Sequence, residues 1–170
     1  ETLSDDLKKV KALEIAGKAE KLYARWESEW YEIQSIDIEE LDRDLYNAES
    51  YIDKFNFKRA DEVIMNSGEL IASIKDRIAS IRREIKELKE VEPSNKETYE
   101  EIVVEYKELN RELLAKRHQY GTAAEQFETN IKNLAPQLEE FKVLTSTGKY
   151  IEAQEKINAI KESILSLIHI

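Results

Sequence analysis

The sequence contains no cysteine, which excludes a disulfide framework and any thiolate metal site. That absence fits a reducing compartment. Glycine and proline are scarce, four and two in 170 residues, so turns are few and the elements between them long. No apolar run approaches the ~20 residues that cross a bilayer, and no signal peptide is visible. The chain opens at Glu1-Thr2-Leu3 inside a periodic pattern, without an initiator Met, and reads as a piece of something longer. Basic charge is also short, 26 Lys and Arg against 36 Asp and Glu, a net of −10. Struts that bind nucleic acid need cations for phosphates, and helical scaffolds that curve anionic membranes need them for headgroups. Neither a nucleic-acid partner nor direct membrane binding is therefore expected.

Catalytic signatures are missing as well. No Gly-rich phosphate loop and no Gly-x-Ser-x-Gly elbow occurs. His118 has no Cys or carboxylate at ligand spacing, and His169 lies at the terminus. Trp26 and Trp30, one helical turn apart, read as core anchors rather than an aromatic ligand box. No catalytic, cofactor-binding or metal residue is assigned, and the expectation is that the chain is not an enzyme.

What the sequence does have is periodicity. Tyr99, Tyr106, Leu113, Tyr120, Phe127, Leu134 and Phe141 recur every seven residues, the spacing of a coiled-coil seam. This predicts one helix from about Ser94 to Thr145, with a bend permitted at Gly121 and a kink at Pro136. Before it, Ser4 is expected to cap a short helix that Gly17 ends, and a second helix runs to Gln34. Ser35-Ile36-Asp37 reads as a break or a re-cap. A helix with Ile38, Leu41, Leu45, Ala48 and Ile52 on one face follows, then a tight turn at Phe55-Asn56-Phe57. The next helix carries a seam from Ala60 to Leu88. Glu92-Pro93-Ser94-Asn95 reads as a loop, because Pro93 biases Glu92 away from helix. Thr147-Gly148 ends the long helix before a last one from Tyr150.

Phe57-x-x-Ala60-x-x-x-Ile64 matches Tyr150-x-x-Ala153-x-x-x-Ile157 at an offset of 93. Carried back, Ile38, Leu41 and Leu45 meet Ile131, Leu134 and Leu138. Helix, turn and helix are repeated. The expected fold is all-α: antiparallel, elongated three-helix bundles, spectrin-like repeats that share a continuous helix. Residues 1–36 would be N-terminal helices, 37–120 a first three-helix repeat, and 121–170 a truncated second one. In that reading the apolar end, Ile164-Leu165-Ser166-Leu167-Ile168-His169-Ile170, lacks a partner, and antiparallel self-association is expected.

Acid is concentrated between Glu27 and Asp53, where Glu27, Glu29, Glu32, Asp37, Glu39, Glu40, Asp42, Asp44, Glu49 and Asp53 face Arg43 alone. Two readings stand. The segment meets a basic partner surface, or it pairs internally with Lys75, Arg77, Arg82, Arg83, Lys86 and Lys89.

Three stretches resemble one family. They are residues 11–33, with Gly17, Tyr23, Trp26 and Trp30; residues 48–60, with Tyr51, Phe55, Phe57 and Ala60; and residues 113–123, with Arg117, His118, Tyr120 and Gly121. Together they resemble the cytoplasmic domain of EzrA, the septation ring formation regulators of Gram-positive bacteria, with a staphylococcal leaning. Ser166–Ile170 fits less well and reads as an appended tail. The resemblance implies the membrane-proximal part of a rod anchored by one N-terminal transmembrane helix, which this stretch lacks. It implies a place on the cytoplasmic face of the membrane at the division septum. The implied partners are the tubulin-like GTPase FtsZ, whose ring assembly such proteins restrain or organise, and other divisome and wall-synthesis proteins. No binding residue is carried over. The alternative is a structural spacer that links membrane and divisome without touching FtsZ in this segment.

Overall fold

A computed structural model describes residues 2–169, so Glu1 and Ile170 lie outside the description. All regular structure among the described residues is helical: α1 (Leu3–Lys11), α2 (Lys18–Glu32), a π-helical turn (Ile33–Asp37), α3 (Ile38–Asp53), α4 (Phe57–Tyr120), α5 (Ala123–Lys132), α6 (Leu134–Ser146) and α7 (Tyr150–Ile168). The all-α expectation, with one long continuous helix, is met. The helices fall into two compact units. The first takes Glu1–Ala12 and Leu22–Lys86, the second Leu13–Lys21 and Glu87–Ile170.

The continuous helix is not where the sequence reading put it. α4 is 64 residues long and runs straight through the expected loop, with Pro93 inside it. The physical reason is a heptad that Pro93 does not interrupt. Ala60, Ser67, Ile81, Leu88, Asn95, Ile102 and Leu109 lie on one line, and all are buried. Packing of that line on both sides of the proline outweighs the one backbone hydrogen bond it removes. Ser94 therefore does not cap a new helix, and residues 94–120 do not fold back on 58–90. Conversely, the helix expected from Ser94 to Thr145 reverses at Gly121, which adopts φ +54. The seven-residue seam closes on itself across that reversal. Tyr120 stacks on Phe127 at 5.8 Å, and Tyr99 on Phe141 at 5.4 Å with ring planes 14° apart. The interruption near Pro136 comes three residues early, at Asn133, so the proline sits in the first turn of α6 where its missing N–H is not needed.

In the first unit α2, the π turn and α3 make one unbroken path that runs antiparallel to α4. Trp26 Nε1 donates to Glu84 Oε2 at 2.6 Å near one end, and Arg77 pairs with Asp37 at 2.6 Å further along. Ser35-Ile36-Asp37 is not a break. The π turn absorbs one extra residue, so the buried line spaces Trp26 and Ile33 by seven but Ile33 and Ala48 by fifteen, one more than two heptads. α1 is the third helix of this unit but has only 9 residues. Leu3, Leu7 and Val10 are buried, and Asp6 meets Arg82 at 3.5 Å. Its cap is Thr2 rather than Ser4: the Thr2 hydroxyl accepts from the Asp5 N–H and the Asp5 carboxylate returns the bond. The Thr2 N–H and then its hydroxyl, both donating to the Asp5 carboxylate, hold that carboxyl below its usual pKa.

The second unit has three helical legs. Ile102, Leu109 and Leu113 of α4 meet Ile131, Leu134, Leu138 and Phe141 of α5 and α6, and Ala153, Ile157, Ile160, Ile164 and Leu167 of α7 in one core. Ile164 and Leu167, expected to lack partners, are thus buried in their own bundle. Asn95, buried on the α4 line, donates to the Tyr150 carbonyl at 3.1 Å. The segment before α2 packs here as well: the Ala16 N–H donates to the Gly148 carbonyl at 3.0 Å, and the Lys18 N–H donates to the Glu152 carboxylate at 3.1 Å.

The repeat holds at its turns. Lys54 (φ −90, ψ 6) corresponds to Thr147 (φ −95, ψ 8) at the offset of 93. The next residue takes positive φ in both, +59 at Phe55 and +79 at Gly148. α4 and α7 then start at equivalent positions, with Ala60 and Ala153 both buried.

Candidate functional site

The residues weighed for chemistry fall apart in space or into the core. Trp26 is fully enclosed and hydrogen-bonded, while Trp30 is half-buried. Arg25 shares the Glu84 carboxylate with it. His118 is exposed on the last turn of α4 and His169 follows α7. No group of three His, Asp or Glu able to hold a metal occurs among the described residues. A recess of about 540 Å³ beside Pro93 is lined by Asn95, Lys96, Tyr99, Phe141, Lys142 and Thr145. Lys142 lies over the Tyr99 ring at 5.8 Å. Tyr99 and then Glu139 hold its ammonium above the usual lysine pKa. The Thr145 hydroxyl, buried there, has no hydrogen-bond partner.

The acidic segment divides between its two readings. At its start, internal pairing holds: Arg77 reaches both Asp37 and, at 3.4 Å, Glu32. Because Asp37 is nearly buried, removing Arg77 would leave a charge with little water around it. Beyond the π turn the pairing stops. Glu39, Glu40, Asp42, Asp44, Glu49 and Asp53 of α3 have no ion pair among the described residues.

That same stretch carries apolar side chains in water. Ile38, Leu45, Ile64 and Ile71 are 40%, 51%, 49% and 37% exposed. Their repeat equivalents in the second unit, Ile131, Leu138, Ile157 and Ile164, are 1%, 8%, 1% and 0% exposed. The difference is a helix. In the second unit Ile102, Leu109 and Leu113 of α4 cover this face, whereas no described helix covers it in the first unit. At the end of the hairpin Phe55 is 81% exposed and holds φ +59, a conformation costly for a bulky side chain. Sequence reasoning placed these residues in a covered repeat. α1 stops at Lys11, six residues before the Gly17 at which the sequence reading ended it.

Two helical bundles built on one continuous helix define the class: an all-α protein of spectrin-like repeats. The family model described as "Septation ring formation regulator, EzrA" matches residues 1–170. Similar curated proteins of that name come from Bacillus velezensis, 30% identical over 91% of this chain and 27% of the relative, and Staphylococcus epidermidis, 30% identical over 97% and 29%. A Staphylococcus aureus relative is 30% identical over 98% of this chain and 30% of its own length. The chain belongs to the EzrA family of septation ring formation regulators. It spans less than a third of the relatives' length, and equal identities to Bacillus and Staphylococcus members show no leaning to either genus. No helix among the described residues is long and apolar enough to cross a membrane.

Proposed function

We propose that this chain is a non-enzymatic part of a cell-division regulator that binds the tubulin-like GTPase FtsZ and restrains or organises ring assembly at the membrane. Membership of the septation ring regulator family along the whole chain carries this reading. Its place would be the cytoplasmic face of the membrane at the septum, among other divisome and wall-synthesis proteins. A second reading, the structural spacer, is favoured by the unbroken 64-residue α4.

The test is GTP-driven FtsZ assembly, followed by light scattering and pelleting, with and without this chain. Lowered assembly or co-pelleting is expected. Unchanged scattering and no co-pelleting would overturn the regulatory reading for this segment and leave the spacer.

A further inference from the structure

We propose that the recess between α4 and α6 beside Pro93 is a binding site for a small aromatic anion, a flat ring system carrying a carboxylate. The recess belongs wholly to the second unit, and its walls include Pro93 and Tyr99 of α4 and Phe141 and Thr145 of α6. All three helical legs of that unit are described, so the opening is set by side chains on packed helices and not by a missing leg. α7 starts at Tyr150, next to Asn95 in the recess wall, and runs to the other end of the bundle, about 27 Å away by helix rise. At about 540 Å³ the recess has the size of pockets that enclose a small ligand.

The walls select a ring and the rim selects a negative charge. Tyr99 and Phe141 stack at 5.4 Å, and with Pro93 they offer an apolar surface of flat rings on which another ring packs well. Lys96 and Lys142 line the same recess against one carboxylate, Glu92, in a chain whose net charge is −10. Lys142 is held over the Tyr99 ring, and its ion-pair partner Glu139, at 3.2 Å, is well exposed. A ligand carboxylate can therefore take the place of Glu139 at the ammonium at little cost, since exposed pairs of this kind are weak.

The repeat adds an independent observation. At the offset of 93, Phe141, Lys142 and Thr145 stand where the first unit has Ala48, Glu49 and Ile52. The hairpin scaffold thus requires neither the ring, the cation nor the hydroxyl at these places. The Thr145 hydroxyl is buried without a hydrogen-bond partner, a costly state for a position that isoleucine fills in the repeat. A polar atom of a ligand in the recess gives that hydroxyl its partner.

The probes are N-acetyl-tryptophan, with a free carboxylate, and the neutral N-acetyl-tryptophanamide, titrated into the isotope-labelled chain and followed by backbone amide shifts. The carboxylate is expected to bind saturably with a Kd of about 1 mM or tighter, and the amide at least about fivefold more weakly. The shifts should map to residues 92–99 and 141–146. Lys142→Gln should abolish the preference for the carboxylate, and Glu92→Gln should strengthen its binding. Thr145→Val removes an unsatisfied hydroxyl, so that variant should unfold no earlier than the parent yet bind more weakly. No saturable shifts, shifts that map elsewhere, equal binding of the two probes, or indifference to both Lys142→Gln and Thr145→Val overturns the proposal. So does a Gly-Ser-Gly-Ser-Gly-Trp peptide that binds about tenfold more tightly than N-acetyl-tryptophan, because a protein terminus would then own the site. The recess reading does not depend on FtsZ, and either can fail alone.

Discussion

Ile64 and Ile157 occupy the same place in the repeat, yet one is half in water and the other enclosed. Truncating each to alanine measures what the covering helix contributes. At Ile157 the loss combines transfer of the removed atoms with the cavity left among Ile131, Leu134 and Ile160, and large-to-small changes at such sites cost about 2–5 kcal/mol, so ~3 is expected. At Ile64 roughly half of the transfer value of about 1.5–3 kcal/mol was never gained. Alanine's better helix propensity returns up to ~0.7 kcal/mol of the remainder, so the net cost should stay below about 1 kcal/mol.

Thermal and urea unfolding followed by helical circular dichroism provides the comparison. For a unit of 60–100 residues about 4–8 °C accompanies each kcal/mol, which puts Ile157→Ala more than ~10 °C below the parent. Ile64→Ala should move the transition by only a few degrees. The measurement belongs at low micromolar protein, where a second copy does not cover the first. Equal destabilisation by the two variants would refute the reasoning, since it would mean that Ile64 is enclosed in solution.

Gly148→Ala places a Cβ 2.3 Å from the Glu14 carbonyl in a backbone at φ +79, so it should cost at least about 1–2 kcal/mol and release the 13–17 segment, visible as faster amide exchange there. Asn95→Ala removes the donor to the Tyr150 carbonyl and leaves a small void on the α4 line, for a loss of about 1–3 kcal/mol in urea unfolding. A stability unchanged within error would show that the bond contributes nothing.

The repeat was legible because apolar residues recur at the same spacing in both halves, even where burial differs. Ile38, Leu41 and Leu45 were paired with Ile131, Leu134 and Leu138 from sequence, and at the turns Lys54 and Thr147 agree to within a few degrees of φ while Phe55 and Gly148 are both left-handed. Which stretches run straight was harder to read. Pro93 and the polar pair Ser94-Asn95 have loop composition, but Asn95 sits seven residues after Leu88 and seven before Ile102. That line continues without a phase change, and a single unfavourable residue does not stop a helix whose face is packed on both sides. At Gly121 the apolar line also continues in phase, but there the chain reverses and the line folds onto itself. A heptad register therefore does not distinguish a straight helix from a hairpin. The residue that can adopt positive φ does, and Pro93 is confined to a helical value.

The same distinction explains why the acidic segment could not be resolved from sequence. Pairing with α4 needs a cation opposite each carboxylate in an antiparallel hairpin. Arg77 stands opposite Glu32 and Asp37, but the residues of α4 opposite α3 are mostly neutral, from Val63 to Ser73, with Glu69 the one charge. The cations from Lys75 to Lys89 lie further along α4, beside α2 and α1, where Arg77 and Arg82 are used. Acid on α3 is therefore left over by the register of the hairpin itself. It lies beside the apolar line of Ile38, Leu45, Ile64 and Ile71, so one face of one hairpin carries both the unmatched charge and the exposed seam.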